Sequence, residues 1–248
     1  MKLTAGRPWT RAELIDVLRL YCVTPFGSLH ARNPNVIDIA NRLDRTANSV
    51  AYKLVNFASL DPTIDRRGMS NTSALDRSVW SDFFANIDDF LDQPNENDGN
   101  PKGFAEDGQA QYRWDERQGV DARGTSKRRV NQGFFRSMIV ASYDSRCAMT
   151  ELSDPSLLVA SHIDPWAQNT LQRLDPHNGI CLNYLHDRAF EEGLIAIAPD
   201  LSILYSSRLT AIDLRKLRSV SSERLRLPAR FKPDTLLLEK HRLTRFHM

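Results

Sequence analysis

The chain's 248 residues leave room for one large domain or two small ones, and 41% hydrophobic with 26% charged residues excludes a disordered or fibrous chain. No apolar run nears the roughly 20 residues that cross a bilayer, and Met1 to Pro8 lacks the apolar core of a signal peptide, so a cytoplasmic protein without a membrane partner is expected. The net charge of +2 conceals blocks: residues 86–108 and 137–207 each sum to −6, whereas residues 208–245 sum to +7. Basic flanks around an acidic centre are either solvated faces or the means to grip a polyanion outside while holding a cation inside. Cys22, Cys147 and Cys181 are too sparse for a disulfide framework and point to a reducing compartment. The absence of any C-x-x-C pair excludes a four-cysteine zinc site.

Thr10 and Glu13 form a capping box ahead of Leu14, Val17, Leu18 and Tyr21, which predicts a first helix. Pro34 opens a second, with Val36, Ile39, Ala40 and Leu43 at helical spacing. After a break at Asp44-Arg45, Thr46 caps a third, whose buried face is Val50, Leu54 and Phe57. Two short helices across a tight break predict a helix-turn-helix or winged-helix-like unit over residues 1–90, with Arg66 and Arg67 at a wing or a solvent loop. On the third helix Asn48, Ser49, Tyr52, Lys53 and Asn56 are expected to face away from the apolar stripe, as types suited to phosphates and base edges. The same architecture serves protein-interaction modules.

Residues 91–111, with Gln93 to Pro101 polar and rich in turn formers, read as an acidic linker, and residues 112–248 as a second, mixed α+β domain. There Arg113, Lys127, Arg128 and Arg129, with the basic C-terminal segment, are candidate phosphate contacts. A helix carrying Phe134, Phe135, Met138 and Ile139 follows. Leu157 to Ala160 and Ile180 to Leu182 have strand length, Tyr184 to Glu192 reads as helix stopped by Gly193, and Leu194 to Ile197 with Ile203 to Tyr205 reads as a hairpin.

His162 closes the first strand, Asn178 opens the second, and His186 lies in the first turns of the following helix. A strand pair against a helix would gather all three in one cleft. Phosphodiester hydrolysis needs a group that takes a proton from water, for which a neutral imidazole serves, and a Lewis acid, for which a divalent cation serves. His30, His241 and His247 read instead as surface or structural histidines.

Cys147 to Leu152, Leu158 to Trp166, Asp175 to Leu182 and His186 to Ile195 together resemble an HNH endonuclease domain, of the subgroup common among restriction endonucleases of bacteria, over about residues 126–246. The resemblance implies a ββα-metal fold with His162 as general base, Asn178 holding the loop and orienting the base, and His186 as terminal metal ligand. It places Ser161, a weak ligand, where many relatives carry Asp or His, and leaves Asp164, Asp175, His177, water or the substrate to complete the shell. Relatives with C-x-x-C pairs bind a structural zinc; here those positions read Cys147 to Thr150 and Cys181 to Tyr184, so no zinc is expected, and one Mg²⁺ or Mn²⁺ per site is. The implied protein is a restriction-type endonuclease, a homodimer acting on double-stranded DNA. The alternatives are a DNA-binding regulator with a decayed nuclease fold, or a non-specific defence nuclease.

Overall fold

Local caps set the helices in a computed structural model of the chain, which describes residues 7–64, 71–92, 125–165 and 172–247. Helix α1 (Arg11–Val23) starts at the Thr10–Glu13 capping box. Helix α2 (Pro34–Arg42) starts at Asn33 with Pro34 in its first turn, and α3 (Ala47–Ala58) starts at Thr46, whose hydroxyl accepts from the Ser49 N–H. The break between α2 and α3 is a Schellman turn. Asp44 has φ +50°, the Arg45 N–H reaches back to the Ala40 carbonyl and the Asp44 N–H to that of Asn41. The expected stripes are the core: Leu14, Val17, Leu18, Tyr21, Val36, Val50, Leu54 and Phe57 have no exposed surface.

Among the described residues from 59 to 142 there is no strand. Residues 65–70, which include Arg66 and Arg67, lie outside them, and the chain resumes as α4 (Ala74–Ala85) and α5 (Ile87–Asp92). The acidic stretch Gln93 to Pro101 and Arg113 also lie outside the described residues.

Helix α4 corrects one expectation about α3. Asn48 and Tyr52 are exposed and Ser49 half-buried, but Asn56 is buried at 1% exposure. The Lys53 Nζ sits 2.8 and 2.9 Å from the two carboxylate oxygens of fully buried Asp76, whose own carboxylate closes the capping box of α4. At 100° per residue Lys53 flanks the apolar stripe rather than opposing it, whereas Asn56 lies on the far side of the helix and is nonetheless buried; α4 packs against α3.

In the second half, α6 (Thr125–Ser142) carries Lys127, Arg128 and Arg129 in its first turns, their side chains lying outside the described residues. Strand β1 (Leu158–His162) pairs antiparallel with β2 (Gly179–Asn183), and α7 (Tyr184–Glu191) follows directly. A second antiparallel pair, β3 (Ile195–Ile197) and β4 (Ile203–Tyr205), precedes α8 (Ala211–Val220) and α9 (Thr235–Thr244). Helix α7 ends at Gly193, φ +65°, where a Cβ would come within 1.9 Å of the Arg245 carbonyl oxygen, so no other residue fits. The molecule is thus mixed helix and sheet, and no described helix is long and apolar enough to cross a membrane.

One core runs through both halves. Helix α1 packs on α6, and the Phe83 and Phe134 rings lie 6.3 Å apart. Arg230, wholly buried, donates to the carbonyls of Tyr21, Cys22 and Thr24 and lies over the Tyr21 ring. It satisfies the orphan carbonyls at the end of α1 with a side chain two hundred residues away in sequence.

Candidate active site

The register of the β1–β2 hairpin sorts its side chains between two helices. His162 pairs with Gly179 and Ser161 with Ile180, so His162 and Ser161 point to opposite faces. On the first face α6 supplies Phe135, whose ring stacks on the His162 imidazole at 4.2 Å and 11°. A Cβ on Gly179 would meet Ile139 at 2.4 Å and Phe135 at 2.9 Å, so this glycine makes room for α6 beside the imidazole. On the second face buried Ser161 neighbours Asp187, in the first turn of α7, and its hydroxyl draws the pKa of that carboxylate down.

His162 is held in one neutral tautomer. Its Nε2 lies 2.9 Å from the Arg173 carbonyl, which only accepts, so Nε2 carries the hydrogen and Nδ1 the lone pair. Burial lowers its pKa against the opposing pull of that carbonyl, which keeps the ring uncharged at neutral pH.

Asn178 is fully buried and fixes the loop between the strands. Its Oδ1 accepts from the Asp164 N–H at 2.7 Å, its Nδ2 donates to the carbonyls of Asp164 and Gln172 at 3.1 and 3.2 Å, and its own carbonyl accepts from Ile163. Both ends of the loop are thereby tied, and the Arg173 carbonyl that orients His162 follows directly on Gln172. The Asn178 side chain is thus spent on the loop that carries the Arg173 carbonyl to His162.

His186 does not present itself as a ligand. It is fully buried; Nδ1 lies 3.0 Å from Asn183 Oδ1, and Nε2 lies 2.7 Å from Ser221 Oγ, just past α8. Both ring nitrogens are taken up inside the protein, and burial lowers the pKa. Asn183 is the hub of this arrangement. It caps α7 through the His186 N–H, and its Nδ2 reaches Thr150 Oγ1 at 3.0 Å and Cys147 Sγ at 3.7 Å. Cys147 and Thr150, two of the four positions matching the relatives' zinc pairs, thus meet at Asn183.

The residue next to His186 is the one that faces β1. Burial, aided by Glu191, raises the pKa of Asp187 against the Ser161 hydrogen bond. A carboxylate short of counter-charge beside a hydroxyl suits a hard, largely hydrated divalent cation. Asp164, Asp175 and His177 are engaged elsewhere. Asp164 pairs with Lys240 at 2.9 Å. The His177 Nδ1 meets Asp175 at 2.7 Å; burial opposes its charge, but this bond and the charges of Asp175, Asp61 and Asp234 raise its pKa. Among the described residues no three or more of His, Cys, Asp and Glu gather to cage a metal. His30 and His247 are exposed, and His241 is buried, stacked on Phe190 at 3.7 Å.

Sequence reasoning missed Asp187, Asn183 and Ser221. The Asn at the start of a helix, three residues before His186, was a readable cap signal; nothing local marks Ser221 or the facing of Asp187. The geometry gathers a neutral imidazole at a strand end, a buried Asn fixing its loop, and an oxygen pair between strand and helix. No curated protein matches the chain. Residues 147–198 match the family model described as HNH endonuclease. The hairpin, its loop and the helix behind it are therefore an HNH endonuclease domain.

Proposed function

We propose that the protein is a restriction-type DNA endonuclease dependent on a divalent cation, with His162 as general base. The observation that carries this reading is the His162 imidazole, kept neutral by burial and oriented by the Arg173 carbonyl, one residue along the strand from Ser161 and its neighbour Asp187. His162 Nδ1 takes a proton from water as the water oxygen bonds to phosphorus. The bond to the leaving oxygen breaks, and that oxygen takes a proton from solvent. Ser161 and Asp187 are the residues that would hold Mg²⁺ or Mn²⁺, and the cation supplies Lewis-acid stabilisation of charge on the phosphate. Few protein ligands suit a cation that keeps most of its water. His186 acts as a positioning residue, holding the first turn of α7 so that Asp187 faces Ser161.

Helices α2 and α3 form the proposed DNA-reading unit, with Asn48, Ser49 and Tyr52 on its exposed side; Lys53 and Asn56 serve its folding. Cutting both strands is simplest with two centres, hence a homodimer. The test is cleavage of unmodified and methylated plasmid in Mg²⁺ or Mn²⁺ against an EDTA control. Discrete, cation-dependent fragments support the reading, and the preferred substrate reports whether base modification is read. Tight binding without cleavage of any DNA would favour a regulator, the reading that a hydroxyl at Ser161 supports.

A further inference from the structure

Helix α8 is a cationic ledge attached to the catalytic helix. Of its ten residues only Leu217 is buried, and a helix this short is marginal in water without tertiary anchors. The anchors sit at its ends. Thr210 caps the first turn through the Asp213 N–H. At the far end Ser221 Oγ meets His186 Nε2 at 2.7 Å, and the Ser222 N–H donates to the Met149 carbonyl. What α8 and the turn before it leave to solvent is basic. Arg208, Arg215, Lys216 and Arg218 are exposed, and among the described residues no carboxylate pairs with any of them. Arg218 rests over the Tyr205 ring, and the lone acid of the helix, Asp213, is hydrogen-bonded to Thr210.

This ledge stands on an acidic neighbour, since residues 137–207 sum to −6 and α7 with its cap sets Asp187, Glu191 and Glu192 against Arg188 alone, which pairs with both glutamates. A polyanion brought to the end of β1 meets repulsion there unless a basic surface accompanies the site. Ten helical residues span about 15 Å, a length over which duplex DNA presents roughly nine backbone charges. At 100° per residue Lys216 and Arg218 project about 160° apart with Arg215 between them, so a duplex laid along the helix meets Arg215 and one of these neighbours, with Arg208 in the preceding turn.

From this unpaired charge and its link to α7 we infer that α8 and the turn before it are a phosphate-backbone rail for duplex DNA, carrying Arg208, Arg215, Lys216 and Arg218 and indexed to the catalytic helix through Ser221–His186. The inference rests on the nuclease reading and deepens it by assigning the surface that carries the substrate flanking the cut.

The experiment measures binding of a fluorescent 30-base-pair duplex to the full-length protein from about 50 to 200 mM salt, in EDTA to prevent cleavage. Arg215→Gln/Lys216→Gln and the fourfold variant adding Arg208→Gln and Arg218→Gln are compared with wild type, and thermal melting confirms folding. Every cation withdrawn from a phosphate lowers the slope of log affinity against log salt by about 0.9, so the slope falls by about 1 to 2 in the double variant and about 2 to 3 in the fourfold variant. Affinity at about 100 mM salt is expected to fall tenfold or more in the fourfold variant, and KM for cleavage to rise with kcat little changed. Wild type that binds and cleaves, with a fourfold variant unchanged in affinity and slope, overturns the rail and leaves the nuclease reading standing. Wild type that neither binds nor cleaves duplex DNA overturns both.

Discussion

Helices α3 and α8 both read as basic or polar faces, yet they treat their cations in opposite ways. On α3, Lys53 is drawn onto buried Asp76, and nearby Arg45 is buried between Glu13, the carbonyls of Arg7 and Pro8, and the Trp9 ring. On α8 the cations have solvent on their charged ends and no carboxylate among the described residues. Charge on a helix therefore says little about its use until the neighbours are known. An internally paired cation holds the fold, and an unpaired one beside a reactive centre is available to a substrate.

The comparison breaks most sharply at Glu13. Burial would raise its pKa, but the Arg45, Thr10 and Arg7 hydrogen bonds hold it down to about 2. Glu13→Ala leaves Arg45 buried without its partner and is expected to cost about 3 to 5 kcal/mol in denaturant unfolding. The cleavage rate per folded molecule should hold. An equal loss of kcat would mean that the helical half contributes to the reaction rather than to stability.

His241 gives the next effect, through pH. Burial against Phe190 lowers its pKa to about 4, against about 6.5 in the unfolded chain. The unfolded state thus binds a proton that the folded state does not, and stability present above pH 6.5 is lost as pH falls toward 4. The expected loss is about 3 kcal/mol by pH 4. His241→Gln should flatten that part of the stability profile; an unchanged profile would assign the acid lability to other groups.

A smaller loss is expected from Ser221→Ala, which removes the hydrogen bond joining α8 to His186. The cost should be about 1 to 2 kcal/mol. Cleavage should fall several-fold while duplex affinity holds, because the rail remains and only its alignment with α7 is loosened. Loss of affinity with unchanged kcat would place Ser221 in binding rather than alignment.

Much of the frame was legible because its signals are local. The Thr10–Glu13 box, Pro34 and Thr46 placed three helices, and the apolar runs with Gly193 placed the hairpin and α7. His162, Asn178 and His186 fall at the strand and helix ends where their positions in sequence put them. What was illegible depends on pairings distant along the chain. Lys53 finds Asp76, Arg230 finds the end of α1, and Ser221 finds His186, and no periodicity announces such meetings. The different facing of His186 and Asp187 has the same origin. Both sit in the first turn of α7, and the Asn183 cap turns one inward and the other toward β1.

The most direct test of the central claim is single-turnover cleavage by His162→Ala, with duplex binding measured in parallel. A base in this position is expected to contribute about 10² to 10⁴ in rate. The account predicts a loss of that size with binding within a few-fold of wild type. Cleavage at the wild-type rate would contradict it and remove His162 from the chemistry.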